Sequence, residues 1–102
     1  QVGRLFGGQL TAKVAQGELP YLEGSMAKLF ASEALVRAAS DFVDATGASG
    51  QLALGAPGAP GGGWIEHAHR HAQVTTIHAG TSEIQRSIIA ERGLGLPRSR
   101  GN

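Results

Sequence analysis

The sequence is 102 residues long, has nine Lys or Arg against eight Asp or Glu, and contains no cysteine. That length admits at most one small domain with little stability to spare. Balanced and scattered charge excludes the electrostatic footprint of a nucleic-acid binder, the missing thiols exclude disulfides and thiolate metal sites, and no apolar run reaches the roughly 18 residues of a membrane span.

The N-terminus has neither an initiating Met nor the apolar core of a signal peptide. The absence of cysteine fits a reducing compartment, and the default expectation is the cytoplasm or an organelle matrix. A start on Gln1, already within a helical pattern, reads as a chain cut from something longer, with surface meant for partners.

Val2, Leu5, Phe6, Leu10 and Val14 recur every three or four positions, which predicts a first helix over about 2–15 against the weak propensity of Gly3, Gly7 and Gly8. Gly17 and Pro20 then make a tight connection, because glycine stops helices and proline is tolerated in a first turn. A second helix is expected over about 21–46, where Leu22, Leu29, Val36 and Val43 are spaced seven apart with Met26, Phe30 and Ala39 alongside. Glu33 interrupts that stripe and calls for an ion pair.

Residues 47–63 are dominated by Gly, Pro, Ala and Ser and read as a loop with turns. No strand-then-GxGxxG or P-loop pattern accompanies its glycines, and its short GAPGAPG run is far from the long Gly-X-Y repeat of collagen. A short helix follows over about 64–72, and the β-branched Val74-Thr75-Thr76-Ile77 is expected to be an extended connector. The last helix, about 81–93, opens at Gly80-Thr81-Ser82-Glu83 with hydroxyl capping, and Ile84, Ile88 and Ile89 are its expected buried face. Gly93, Gly95 and Pro97 end it ahead of a frayed tail from Arg98.

His67, His69 and His71 alternate, and His67 with His71 has the i, i+4 spacing of some zinc sites. HExxH is absent, however, and further ligands and supporting contacts are not in view. They are read as exposed helix surface, with no metal.

The run IHAGTSEIQRSIIAERGLGLPR, residues 77–98, resembles the end of acyl-CoA dehydrogenases, whose C-terminal helical domains carry a GTSEIQR-type motif and a helix closing on LGLPR. Gly24-Ser25-Met26-Ala27-Lys28-Leu29 with Ser32-Glu33 is similar to the SxAKLxxSE helix of that family. Glu66 to Ala72 stands in the place of its ERLYRDAR segment, with Arg70 matching and His71 and Gln73 replacing the usual Asp and Arg. The resemblance implies an all-α fold, an incomplete up-down helical bundle with a Gly/Pro-rich loop, in which residues 1–102 form part of a C-terminal domain.

It also implies chemistry. Family enzymes remove two hydrogens across the Cα–Cβ bond of an acyl-CoA thioester: a Glu takes the α-proton and FAD receives the hydride. In many members that Glu directly precedes the GTS motif. Ala79 stands there in this chain, as a small residue does in isovaleryl-type members, whose Glu comes from an earlier helix. No catalytic residue is therefore assigned between Gln1 and Asn102. The Ala79 backbone N–H matches the donor to the thioester carbonyl, and Thr81, Ser82 and Glu83 match positions that contact FAD at a helix start. Gln51 and Gly55 match a glutamine and glycine near the FAD pyrophosphate of a neighbouring subunit, across a loop one residue longer than usual.

The implied partners are an acyl-CoA substrate, an electron-transfer flavoprotein and further copies or subunits in a homo- or hetero-oligomer, with neither nucleic acid nor membrane. A non-catalytic subunit and an acyl-CoA oxidase or related monooxygenase are alternatives on the same scaffold. The fragment by itself is expected to be inactive, to bind FAD weakly or not at all, and to self-associate or pack against other copies.

Overall fold

A computed structural model describes residues 1–98. Its elements are α1 (Val2–Ala15), α2 (Tyr21–Thr46), two 3-10 turns (Gly47–Gln51 and Pro60–Gly63), α3 (Trp64–Thr75) and α4 (Ser82–Gly93). The fold is all-helical, with no strand among the described residues. No described helix is long and apolar enough to cross a membrane.

The chain divides into two units, which α2 enters in turn. The first unit combines residues 1–31 with the segment from Ala79 onward. In it α1 lies antiparallel to the start of α2: Phe6 meets Phe30 with ring centroids 5.9 Å apart, Leu10 lies over Gly24, and Lys13 pairs with Glu23 at the near end. These contacts explain why α1 is helical in spite of its three glycines, since tertiary packing overrides propensity. The connection closes at Gly17 (φ 78°) with Glu18 N–H donating to the Lys13 carbonyl at 3.0 Å.

α4 runs antiparallel along the same part of α2. Lys28 reaches the Gly80 carbonyl just before its start, while Gly93 packs on Leu22 and Arg92 lies over the Tyr21 ring, 5.4 Å from its centroid, at its end. The face that α4 buries differs from the expected one. Ser82 and Gln85 are buried, Ile88 and Ile89 are half-buried, and Ile84 is 53% exposed. Gln85 faces inward because its amide serves the turn ahead of the helix, as described below.

The second unit, Ser32–His78, holds the rest of α2, the 3-10 turns and α3. Ala39, Val43 and Ala72 are its buried apolar residues, and among the described residues they are the only buried hydrophobic ones. Val36 is half-buried, and Glu33 pairs with Arg37 one turn later at 4.0 Å, as an acid within an apolar stripe requires. Residues 47–63 are not irregular throughout: a 3-10 turn stands at Gly47–Gln51, and a second turn, Pro60–Gly63, carries left-handed φ at Gly61 (58°) and Gly62 (66°). The second leads through Gly63 (φ 91°) onto the Ala53 backbone, and an added Cβ there would lie 2.4 Å from the Ala53 carbonyl oxygen.

The expected extended connector at Val74–Ile77 is instead the end of α3 and the turn after it. The Thr75 hydroxyl donates to the Ala72 carbonyl at 2.6 Å, Thr76 Oγ1 to the Gln73 carbonyl at 2.8 Å, and the Ile77 and His78 N–H groups both close on Val74. β-Branched threonines favour strands as bodies on a pleated surface, but their hydroxyls bond a preceding turn equally well. Here the local bonds win.

Candidate functional site

Thr81 ends the turn before α4 in an extended conformation and caps the helix: its hydroxyl oxygen accepts from Ile84 N–H at 3.3 Å, and its carbonyl accepts from Gln85 N–H at 2.9 Å. Glu83 is exposed in the first turn. Its carboxyl is held below the ordinary glutamate range chiefly by its own backbone N–H and then by the Thr81 hydroxyl, with the charges of Arg86 and Lys28 adding to the effect. Ser82 lies between them, 6% exposed, and its hydroxyl oxygen has no hydrogen-bond partner among the described residues. The group is thus rich in hydroxyl and helix-start donors with one carboxylate acceptor, a set suited to an oxygen-bearing ligand such as a ribose or phosphate.

Immediately upstream, the backbone makes a left-handed turn. Ala79 has φ 55°, the only described non-glycine residue with positive φ, and Gly80 follows at φ 94°. An L-residue in that region carries roughly 1–2 kcal/mol of strain, so something must hold it. Two side chains do. Gln85 Nε2 donates to the Ala79 carbonyl at 3.1 Å and Lys28 Nζ to the Gly80 carbonyl at 2.7 Å. The glycine is required: a Cβ at position 80 would lie 2.7 Å from the Gln85 amide nitrogen.

Ala79, Lys28 and Gln85 line an open cleft of about 380 Å³ together with Tyr21, Gly24 and Ser25. Ser25, Lys28 and Ser32 recur at helical spacing along α2, a polar line beside its apolar stripe, with both serines buried. That line, and the amide of Gln85 one turn from Ile88, were the sequence signals for the two holding residues. Neither carried a role in the motif reading.

Of the expected site residues, Ala79, Thr81, Ser82 and Glu83 are contiguous in the first unit. Gln51 and Gly55 belong to the second. Gln51 ends a 3-10 turn and is exposed. Gly55 (φ 78°) is exposed too, with its N–H already donated to the Gly62 carbonyl at 3.1 Å. What it offers a ligand is room for close approach rather than a donor.

The histidines form no metal site among the described residues. His67 and His71 stack nearly parallel at 6.1 Å, and the Trp64 ring meets His67 edge-on at 5.2 Å. Beside them Arg70 makes a two-pronged pair with Glu66, Nε to Oε1 at 2.9 Å and Nη2 to Oε2 at 3.2 Å, which holds the Glu66 carboxyl below its ordinary range.

The chain is similar to known proteins over most of its length. Residues 1–94 match the family model described as acyl-CoA dehydrogenase, C-terminal domain. The acyl-CoA dehydrogenase FadE26 of Mycobacterium tuberculosis is 36% identical over 77 residues, which cover 76% of this chain and 19% of that protein. An acyl-CoA dehydrogenase of Bacillus subtilis is 45% identical over 73 residues, 72% of this chain and 17% of that one. The solved structure of the Tcur3481-Tcur3483 steroid ACAD matches with a TM-score of 0.88 at 31% identity, covering 96% of this chain and 26% of the other. The chain therefore spans less than a fifth of the length of these curated relatives.

Proposed function

The chain belongs to the acyl-CoA dehydrogenase family, and on that footing we propose that it is the C-terminal part of an FAD-dependent enzyme that dehydrogenates acyl-CoA thioesters between Cα and Cβ. One observation carries the reading: the left-handed Ala79–Gly80 turn stands at the rim of a cleft, directly ahead of the capped, hydroxyl-rich start of α4.

FAD, when bound, supplies the hydride acceptor. Thr81, Ser82 and Glu83 would hold its oxygen-bearing part through hydroxyl groups, helix-start N–H groups and a carboxylate that suits a ribose hydroxyl better than a phosphate. Gln51 and Gly55 would approach the pyrophosphate of the flavin on a neighbouring subunit. The Ala79 N–H donates to the thioester carbonyl and stabilises the negative charge that develops as the α-proton leaves. A methyl side chain accepts no proton, so the base is assigned to a part of the enzyme outside residues 1–102. An electron-transfer flavoprotein would be the partner that accepts the electrons.

Anaerobic titration of the complete flavoenzyme with a series of acyl-CoA thioesters tests this. Bleaching of the oxidised flavin band by at least one of them is expected. Absence of bleaching by any thioester in a fully flavin-loaded protein would remove the proposal. Rapid oxygen consumption without an added acceptor would move it to the oxidases.

Ala79 and the altered run Arg70-His71-Ala72-Gln73 favour one alternative, a non-catalytic subunit of a heteromeric acyl-CoA dehydrogenase-like complex. Under that reading flavin bleaching appears only when a second, different chain is co-purified. Exposed apolar side chains such as Leu5 (67%), Phe42 (63%) and Trp64 (63%) accord with assembly into a larger oligomer under either reading.

A further inference from the structure

The two holding residues have a consequence for the proposed reaction. A donor that stabilises a developing oxyanion works only if it is preorganised and if nearby carbonyl oxygens, which repel negative charge, are turned elsewhere. The Ala79–Gly80 turn meets both conditions. Its two carbonyl oxygens are engaged by Gln85 and Lys28, while the Ala79 N–H has no acceptor among the described residues. The turn at the rim of the cleft therefore has a donor to spare and both of its acceptors engaged.

The bond from Lys28 is charge-assisted and short, at 2.7 Å, hence the stronger of the two. It also joins residues 52 positions apart, fixing the turn to α2 rather than to α4 alone. Gln85 is 7% exposed, so its amide has little freedom to leave the Ala79 carbonyl.

We propose that Lys28 and Gln85 are positioning residues: through the Gly80 and Ala79 carbonyls they hold the left-handed turn so that the Ala79 N–H faces the thioester oxygen. This rests on the function proposed above, because it presupposes a thioester in the cleft. In this role each acts through a backbone carbonyl of the turn rather than on the reacting atoms. Their substitution should lower the rate of the chemical step more than it weakens binding.

The experiment uses the complete flavoenzyme carrying Lys28→Met, with Lys28→Arg as the conservative variant that keeps a cationic donor and Gln85→Leu as a second, independent break. Two readouts are taken on each. Hydrogen exchange across residues 79–82 reports the turn itself. The rate of anaerobic flavin reduction per bound flavin, measured at saturating thioester and as a function of its concentration, reports the chemistry.

Lys28→Met should speed exchange in that segment. It should also slow flavin reduction by about tenfold or more, below the roughly 10²–10³-fold cost of deleting an oxyanion donor outright. Half-saturation should change less than the rate, and Lys28→Arg should restore most of it. Unchanged exchange in both Lys28→Met and Gln85→Leu would overturn the clamp, whatever the enzyme catalyses. Faster exchange with an unchanged reduction rate per flavin would leave the clamp purely structural and overturn the positioning role. If the unsubstituted enzyme fails to bleach with any thioester, the function reading itself has failed and takes this role with it, an outcome told apart by the parent enzyme alone.

Discussion

Gln85 donates its side-chain amide to the carbonyl of Ala79 six residues earlier, at 3.1 Å, and occupies the space that a side chain at Gly80 would need. One bond thus ties together a strained alanine, an obligatory glycine and a buried polar residue on a helix whose exposed face includes an isoleucine. The neighbouring positions 79 and 80 should therefore respond to substitution in opposite ways.

Gly80→Ala should be destabilising by about 1–3 kcal/mol, since it places a Cβ at positive φ and expels the Gln85 amide. Ala79→Gly should stay within about 1 kcal/mol of the parent or exceed it, because relief of left-handed strain is offset by the greater chain entropy of unfolded glycine. Thermal unfolding of the complete protein separates the two. A large drop in Tm for Ala79→Gly would mean that the methyl group is packed in a way the turn geometry does not require.

In the second unit Gly63 lies against the Ala53 carbonyl, where backbone rather than a movable side chain blocks a Cβ at 2.4 Å. Gly63→Ala combines that clash with φ 91° and should cost about 2–4 kcal/mol, against near-neutrality for Gly3→Ala in the exposed start of α1. Equal Tm values for the two variants would contradict the placement of Gly63.

The start of α4 makes an acid-dependent contribution. Glu83 has a carboxyl pKa lowered from the ordinary 4.5, first by its own backbone N–H and then by the Thr81 hydroxyl. A depressed folded value means that the stabilisation is present above pH 4.5 and is lost as pH falls below it toward the folded value. Glu83→Gln should therefore flatten the decline of Tm in acid without altering its form near neutrality. Thr81→Val, which deletes the cap to Ile84, should cost about 1 kcal/mol at neutral pH. Superimposable acid profiles for Glu83→Gln and the parent would refute this account.

Trp64 is the single tryptophan of the sequence, and His67 meets its ring edge-on at 5.2 Å. The emission of this chain should therefore report the loss of that neighbour. His67→Gln should shift its intensity or maximum. His78→Gln, outside α3, should leave both unchanged, and an equal effect of the two variants would count against the edge-on arrangement.

Much of the fold was legible before any coordinates. Helical spacing and punctuation by Gly17, Pro20 and Gly95 located the helices, because those signals act within a few residues of where they are read. Thr75 and Thr76 were misread because their preference for strands was counted and their hydroxyls were not. Ile84 was misread because periodicity marks an apolar face without saying what covers it, and polar groups at 82 and 85 occupy the inner side.

The candidate site divides in the same way. Sequence by itself determined the GTSEIQR-like run, the cap at Thr81, the missing carboxylate at Ala79 and, through them, the family. Only the tertiary structure decided that Lys28, from α2, and Gln85, from within α4, converge on the two carbonyls of one strained turn. The reason is physical: a cap depends on its next three residues, whereas a bond across 52 positions exists only after two helices have packed antiparallel.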